Sequence, residues 1–158
     1  LYGASGVSNG MNGLAASPNW LYSYDGATLK RWNKNTGALS TSLVVNATSF
    51  QWGGLDVDWC DNVYVGSQSS VNIYNSSLTL SSTISLPNTV YEGVLNNTCD
   101  TLFTCGKGYV SAYAVTPPAT PTITKSKSAP SCTCTNTATA TLMLCGNPDT
   151  NVTYPWSA

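Results

Sequence analysis

GGLDVDWCDNVYVG, residues 53–66, carries three aspartates, a cysteine and two short runs of alternating apolar residues. Three readings compete: a metal loop, a pair of catalytic acids, or two strands joined by a turn. The choice depends on whether the rest of the chain repeats the pattern. The segment NVYVGSQSSVNIYN (62–75) realigns with WLYSYDGATLKRWN (20–33) and with TLFTCGKGYVSAYA (101–114), at offsets of 42 and 39 residues. Four sets of positions coincide: Leu21, Val63 and Leu102; Tyr22, Tyr64 and Phe103; Leu29, Val71 and Val110; Trp32, Tyr74 and Tyr113. Upstream of each block a glycine precedes an apolar residue, at Gly13-Leu14, Gly54-Leu55 and Gly93-Val94.

Alternating apolar residues bounded by Gly, Asn, Ser and Asp mark strands, and no segment sustains a helical period. In the second unit the strands are expected at 55–58, 63–66, 71–74 and 83–86. Four short strands every forty or so residues is the pattern of a β-propeller blade. The expected fold class is therefore all-β: a partial β-propeller of three blades over residues 1–115, with Leu14, Leu55 and Val94 on equivalent inner strands. The third unit runs out at Val115 before a fourth strand, so it is expected to be incomplete. A ring takes about 4 to 8 blades, which places further blades upstream of this chain. Residues 116–128 read as a Pro/Thr/Ser linker. Residues 129–158 read as a hairpin opening an Ig-like β-sandwich, incomplete at this length.

The repeat also bears on the aspartates. At the 39-residue offset, Asp56 and Asp58 correspond to Leu95 and Asn97. A feature absent from a sister unit is not required by the blade, so strand polarity and turn chemistry account for these acids. Calcium binding or acid catalysis is the alternative, because Asp56 and Asp58 share a strand face.

Composition narrows the function classes. The chain has no histidine, which removes His-based triads and His metal ligands. Only 8% of its residues are charged, against about 25% ordinarily. Its six basic residues are scattered and offer no field for nucleic acid or anionic lipid. No apolar run approaches the roughly 18 residues of a spanning helix, so no membrane insertion is expected. No enzymatic activity, cofactor or metal is expected either.

Six cysteines in a chain poor in Lys and Glu point to an oxidising, extracytoplasmic setting. The disulfide candidates are Cys60, Cys99, Cys105, Cys132, Cys134 and Cys145. Cys60 and Cys99 sit in corresponding turns, with Cys99–Cys105 as the rival; Cys134–Cys145 is the preferred later pair, with Cys132 as the alternative partner. Most aromatics repeat in register and read as blade packing. Trp52 and Trp59 have no tryptophan counterpart in the other units and are the candidate ligand-stacking residues.

Residues GLDVD…DNVYVG resemble the repeats of six-bladed NHL-type propellers. The pattern C-x-C-x-N-x-A-T-A, followed by C-G and Y-x-W-S, resembles the short repeats of SprB-like gliding-motility adhesins. Those are large, multi-domain surface proteins that Bacteroidota export by type IX secretion. The resemblance implies a non-catalytic extracellular adhesin or filament protein at the cell surface. The alternative is a carbohydrate-binding propeller module of a larger surface enzyme. The implied partners are other segments of the same large protein or neighbouring subunits, with surface polysaccharide as a candidate ligand.

Overall fold

The structure, a computed structural model, describes residues 13–47, 52–119, 122–127, 138–145 and 147–148. Every regular element among them is a β-strand. The chain divides into two compact units, Leu1–Pro117 and Pro118–Ala158.

In the first unit, β1 (Gly13–Ala16), β2 (Trp20–Tyr24), β3 (Thr28–Asn33) and β4 (Leu39–Val44) form one antiparallel sheet in chain order. A second sheet of the same plan holds β5 (Leu55–Val57), β6 (Val63–Gly66), β7 (Ser70–Tyr74) and β8 (Leu80–Ser85). The third has three strands, β9 (Val90–Leu95), β10 (Thr101–Gly106) and β11 (Tyr109–Ala114). Its fourth strand is absent among the described residues, as the sequence implied.

Two apolar clusters separate the three sheets. Tyr22, Tyr24 and Leu29 of the first meet Leu55, Val63, Val65 and Tyr74 of the second. Tyr64 and Val71, on the other face of the second, meet Val90 and Leu102 of the third. The period-2 alternation of strands sends neighbouring residues to opposite clusters: Val63 and Val65 face one way, Tyr64 the other. Near the inner strands the backbones come close. A Cβ on Gly66 would fall on the Gly53 carbonyl, and one on Gly13 would fall on the Leu55 side chain.

The register departs from the sequence alignment in one respect. Ala16 pairs with Leu21, Val57 with Val63 and Leu95 with Leu102, so the first hairpin encloses residues 17–20, 58–62 and 96–101 in turn. The loop grows by one residue from sheet to sheet, and each inner strand slips by one relative to its neighbour. Leu14 and Leu55 are equivalent, pairing with Ser23 and Val65, but their counterpart is Gly93, which pairs with Thr104. Val94 does lie on the inner strand, opposite Phe103, at the position of Asp56. Asp58 accordingly corresponds to Asn96 rather than Asn97.

The cysteine expectations divide. Cys60 and Cys145 are disulfide-bonded, as an oxidising setting requires. Cys99 and Cys105 are free thiols, so neither Cys60–Cys99 nor Cys99–Cys105 forms. Cys105 lies near the far end of β10 while Cys99 precedes that strand. Six residues of nearly extended chain separate them by about 15–20 Å, whereas a disulfide needs Cα atoms within about 7 Å. Cys99 corresponds to Asp61, not to Cys60: both take positive φ, 53° and 62°, at the same point of the turn. Its thiol is buried against the Trp59 main chain near Asp58 and Asp56, and that burial, with the two carboxylates, pushes it up. Cys132 and Cys134 lie outside the described residues.

The second unit holds a three-stranded sheet, β12 (Thr122–Lys127), β13 (Ala138–Leu144) and β14 (Asn147–Pro148), in that order. The span read as a linker therefore contains a strand: after the prolines, TITKSK opens with three β-branched residues and pairs along its whole length with β13. The residues expected to continue the hairpin, Val152, Tyr154 and Trp156, lie outside the described residues.

Candidate functional site

Two of the three aspartates of the 53–66 stretch accept main-chain N–H groups, and the third accepts a tyrosine hydroxyl. Asp58 is buried and caps the β5–β6 turn: Cys60 N and Asn62 N donate to its Oδ1 at 2.8 and 3.0 Å, and Asn62 Nδ2 donates to Oδ2 at 2.8 Å. Asp56 links two sheets, accepting from Leu95 N at 2.7 Å across the gap and from Val57 N at 2.8 Å. Asp61 accepts from the Tyr22 hydroxyl of the first sheet at 3.3 Å. Among the described residues no cluster of three acids or cysteines is arranged to hold a metal ion. The turn reading of the opening stretch accounts for all three acids.

The tyrosines beneath them form the polar lining of the core. Tyr22 is held neutral by burial and by the Asp61 carboxylate. Tyr24 is held neutral by burial; its hydroxyl donates to Gly26 O at 3.1 Å and accepts from Asn46 Nδ2 at 2.6 Å. Burial, with Asp58 next, pushes Tyr64 up to about 12.

The two candidate stacking residues part company. Trp52 precedes β5 and Trp59 follows it, at opposite ends of the strand. Trp59 is half-buried in the β5–β6 turn beside Cys99. Trp52 is 50% exposed and stands against Tyr91, which is 40% exposed. The ring centroids are 5.0 Å apart and the planes meet at 48°.

Local chain geometry fixes this pair. Gly53 and Gly54 take φ of 135° and 60°, which only glycine adopts readily, and they turn the chain from Trp52 into β5. Gly53 N donates to Tyr91 O at 3.4 Å, tying the two aromatic residues through the backbone. Beside them the Glu92 carboxylate lies over Gly54, where a Cβ would collide with it. Glu92 Oε1 also accepts the Gly93 N–H at 3.0 Å. Tyr91 was missed by sequence reasoning, although at the 39-residue offset it falls on Trp52 itself.

No family model matches the chain, and no curated protein matches it. Among solved structures it is similar to a gluconolactonase from Xanthomonas campestris, at 25% identity and a TM-score of 0.49, over 61% of this chain and 34% of that one. It is also similar to Hsv2 from Kluyvelomyces marxianus, at 14% identity and a TM-score of 0.50, over 70% of this chain and 35% of that one. The fold is a partial β-propeller. This chain matches about a third of the length of each of these proteins. The expectation that the chain is not an enzyme is not upheld: one of the proteins it is similar to is a gluconolactonase, which is an enzyme.

Proposed function

We propose that this propeller segment belongs to an extracytoplasmic, carbohydrate-binding module of a larger surface protein, with Trp52 and Tyr91 as its stacking platform. The observation that carries the reading is the exposed, tilted pair itself. Large aromatic faces left in water are costly unless a ligand covers them, and a sugar ring offers apolar C–H faces of matching size. The two planes, inclined at 48°, offer adjoining aromatic surface against which a sugar ring can stack. The Glu92 carboxylate at its border supplies an acceptor for hydroxyl groups. Oxidised Cys60 and Cys145 support the compartment, since such bonds persist in oxidising surroundings. The wider assignment, a cell-surface adhesin or filament protein of the SprB-like, type IX-exported kind, is supported by the pattern in residues 129–158.

Calorimetric titration of the 158-residue chain with neutral and acidic oligosaccharides tests the platform. Trp52→Ala and Tyr91→Ala should each weaken binding at least about tenfold, about 1.4 kcal/mol, with unchanged circular dichroism. Trp59→Ala should leave affinity alone. Absence of binding across the panel, or an equal loss from Trp59→Ala, would remove the proposal.

A further inference from the structure

In both complete sheets the fourth strand pairs with the third in the same way. Trp32 faces Leu39 and Leu29 faces Leu43; Tyr74 faces Leu80 and Val71 faces Ile84. Both pairings carry a register shift at the same place, after Arg31 and after Ile73. A bulge of this kind lets two apolar residues four apart on the fourth strand meet two that are three apart on the third. The fourth strands accordingly share a pattern, Leu-Ser-x-x-Leu/Ile, in LSTSL (39–43) and LSSTI (80–84).

β11 presents the third-strand half of this interface with nothing on it among the described residues. Tyr113 and Val110 hold the positions of Tyr74 and Val71. Leu29 and Val71 are buried, whereas Val110 is 82% exposed. The backbone parity agrees. Val115 N donates to Asp100 O, so the odd-numbered residues of β11 face β10 and the main-chain groups of Val110, Ala112 and Ala114 face outward. YVSAYA contains no charge and no proline to blunt such an edge. The pattern Leu-Ser-x-x-Leu/Ile does not occur in residues 1–12 or 115–158.

We infer that β11 binds an extended segment from outside residues 1–158, antiparallel, with Leu opposite Tyr113 and Leu or Ile opposite Val110. Main-chain bonds supply affinity, and the two apolar contacts supply register.

The probe is a synthetic peptide of the β8 region, SLTLSSTISLP (77–87), added to the 158-residue chain and followed by amide NMR and fluorescence anisotropy. Saturable one-to-one binding is expected, with shifts and hydrogen-exchange protection concentrated at Val110, Ala112 and Ala114. A peptide with both Leu80 and Ile84 replaced by Ser should bind at least tenfold more weakly. Ala112→Pro removes an outward-facing N–H and should abolish binding; Val110→Lys, which leaves the backbone intact, should weaken it at least tenfold. Failure of the peptide to bind, or shifts elsewhere, overturns the inference. So does self-association of the chain that Ala112→Pro abolishes without any peptide binding, which would make a second copy the occupant.

Discussion

The turn at Asp58 and its sister at Asn96 contain the same two residue types in exchanged places. In the second sheet Asn62 Nδ2 donates to the Asp58 carboxylate at 2.8 Å. In the third, Asn96 Nδ2 donates to the Asp100 carboxylate at 2.6 Å. Both first residues also accept main-chain N–H groups, Cys60 and Asn62 onto Asp58, Asp100 and Thr101 onto Asn96. If the turn needs one acceptor at the first position and one opposite charge-dipole contact, the two identities must be exchangeable together but not singly. Asn62→Asp alone puts two carboxylates in contact. At about 4 Å and an effective dielectric near 20, like charges repel by about 4 kcal/mol. Asn62 is half-buried, and screening by the adjoining solvent brings the expected loss to about 2 kcal/mol. Asp58→Asn alone keeps an acceptor for both N–H groups and lets the facing amide turn round, so it should cost only about 0.5–1 kcal/mol. The double variant recreates the Asn96–Asp100 arrangement and should be more stable than Asn62→Asp, with a coupling energy of about 1–2 kcal/mol. Urea denaturation followed by fluorescence, at constant slope, measures all four corners of the cycle. A coupling energy within about 0.3 kcal/mol of zero would refute the exchange argument.

Close backbone approach makes Gly66 the most sensitive glycine. Gly66→Ala would drive a Cβ into the Gly53 carbonyl, and a loss of about 3 kcal/mol or more is expected in the same urea assay. Gly108→Ala, with open space but a φ of 80°, should cost only about 1 kcal/mol; equal losses would argue against the close approach. A pH titration probes the buried phenols. Tyr22, Tyr24, Tyr64 and Tyr74 all have their ionisation raised, chiefly by burial. Their unfolded value is about 10, so the stability they contribute is complete below about pH 10. It is lost as pH rises through the folded values, Tyr64 near 12 among them. Phenolate absorbance near 295 nm should therefore show a steep step coincident with alkaline unfolding, above any gradual rise from the other tyrosines; ionisation of all nine before unfolding would contradict the burial.

The repeat was legible because second and third strands carry large apolar residues at fixed spacing, and those residues pair directly across the hairpin: Leu21 with Trp32, Val63 with Tyr74, Leu102 with Tyr113. Loop length was not legible in the same way. The first hairpin lengthens by one residue per sheet, and because strand side chains alternate, a one-residue slip exchanges faces. That is why Val94 looked like the partner of Leu55 and instead occupies the position of Asp56. Absence of a tryptophan counterpart selected Trp52 and Trp59 alike, yet Tyr91 falls on Trp52 at the 39-residue offset, so the exposed pair was itself a repeat. The criterion detects departure from blade packing, and both ends of an inner strand allow such departures. The strand TITKSK was hidden by the prolines before it, which mark a turn or an extended entry and leave the conformation of the next residues open.

The role of the 53–66 stretch emerges when its capping residue is compared across the three sheets. Ser17 Oγ accepts Asn19 N and Trp20 N at 3.3 and 3.0 Å; Asp58 and Asn96 each accept two N–H groups one sheet and two sheets on. A hydroxyl, a carboxylate and an amide share no acid–base chemistry. They share a short side chain with an oxygen that can reach back to the next turn of main chain. The position is therefore constrained by acceptor geometry, and the negative charge at Asp58 is one way of meeting it. A catalytic acid or calcium ligand would need that charge and its lone pairs left for the substrate or ion, whereas both Asp58 oxygens are already engaged. Asp56 and Asp61 are engaged in turn, each with the neighbouring sheet. The charged residues of this turn end join sheets to one another. At the other end of the inner strands the requirement is reversed: two glycines clear the main chain away, and Trp52 and Tyr91 are left facing water. A ligand is to be sought there.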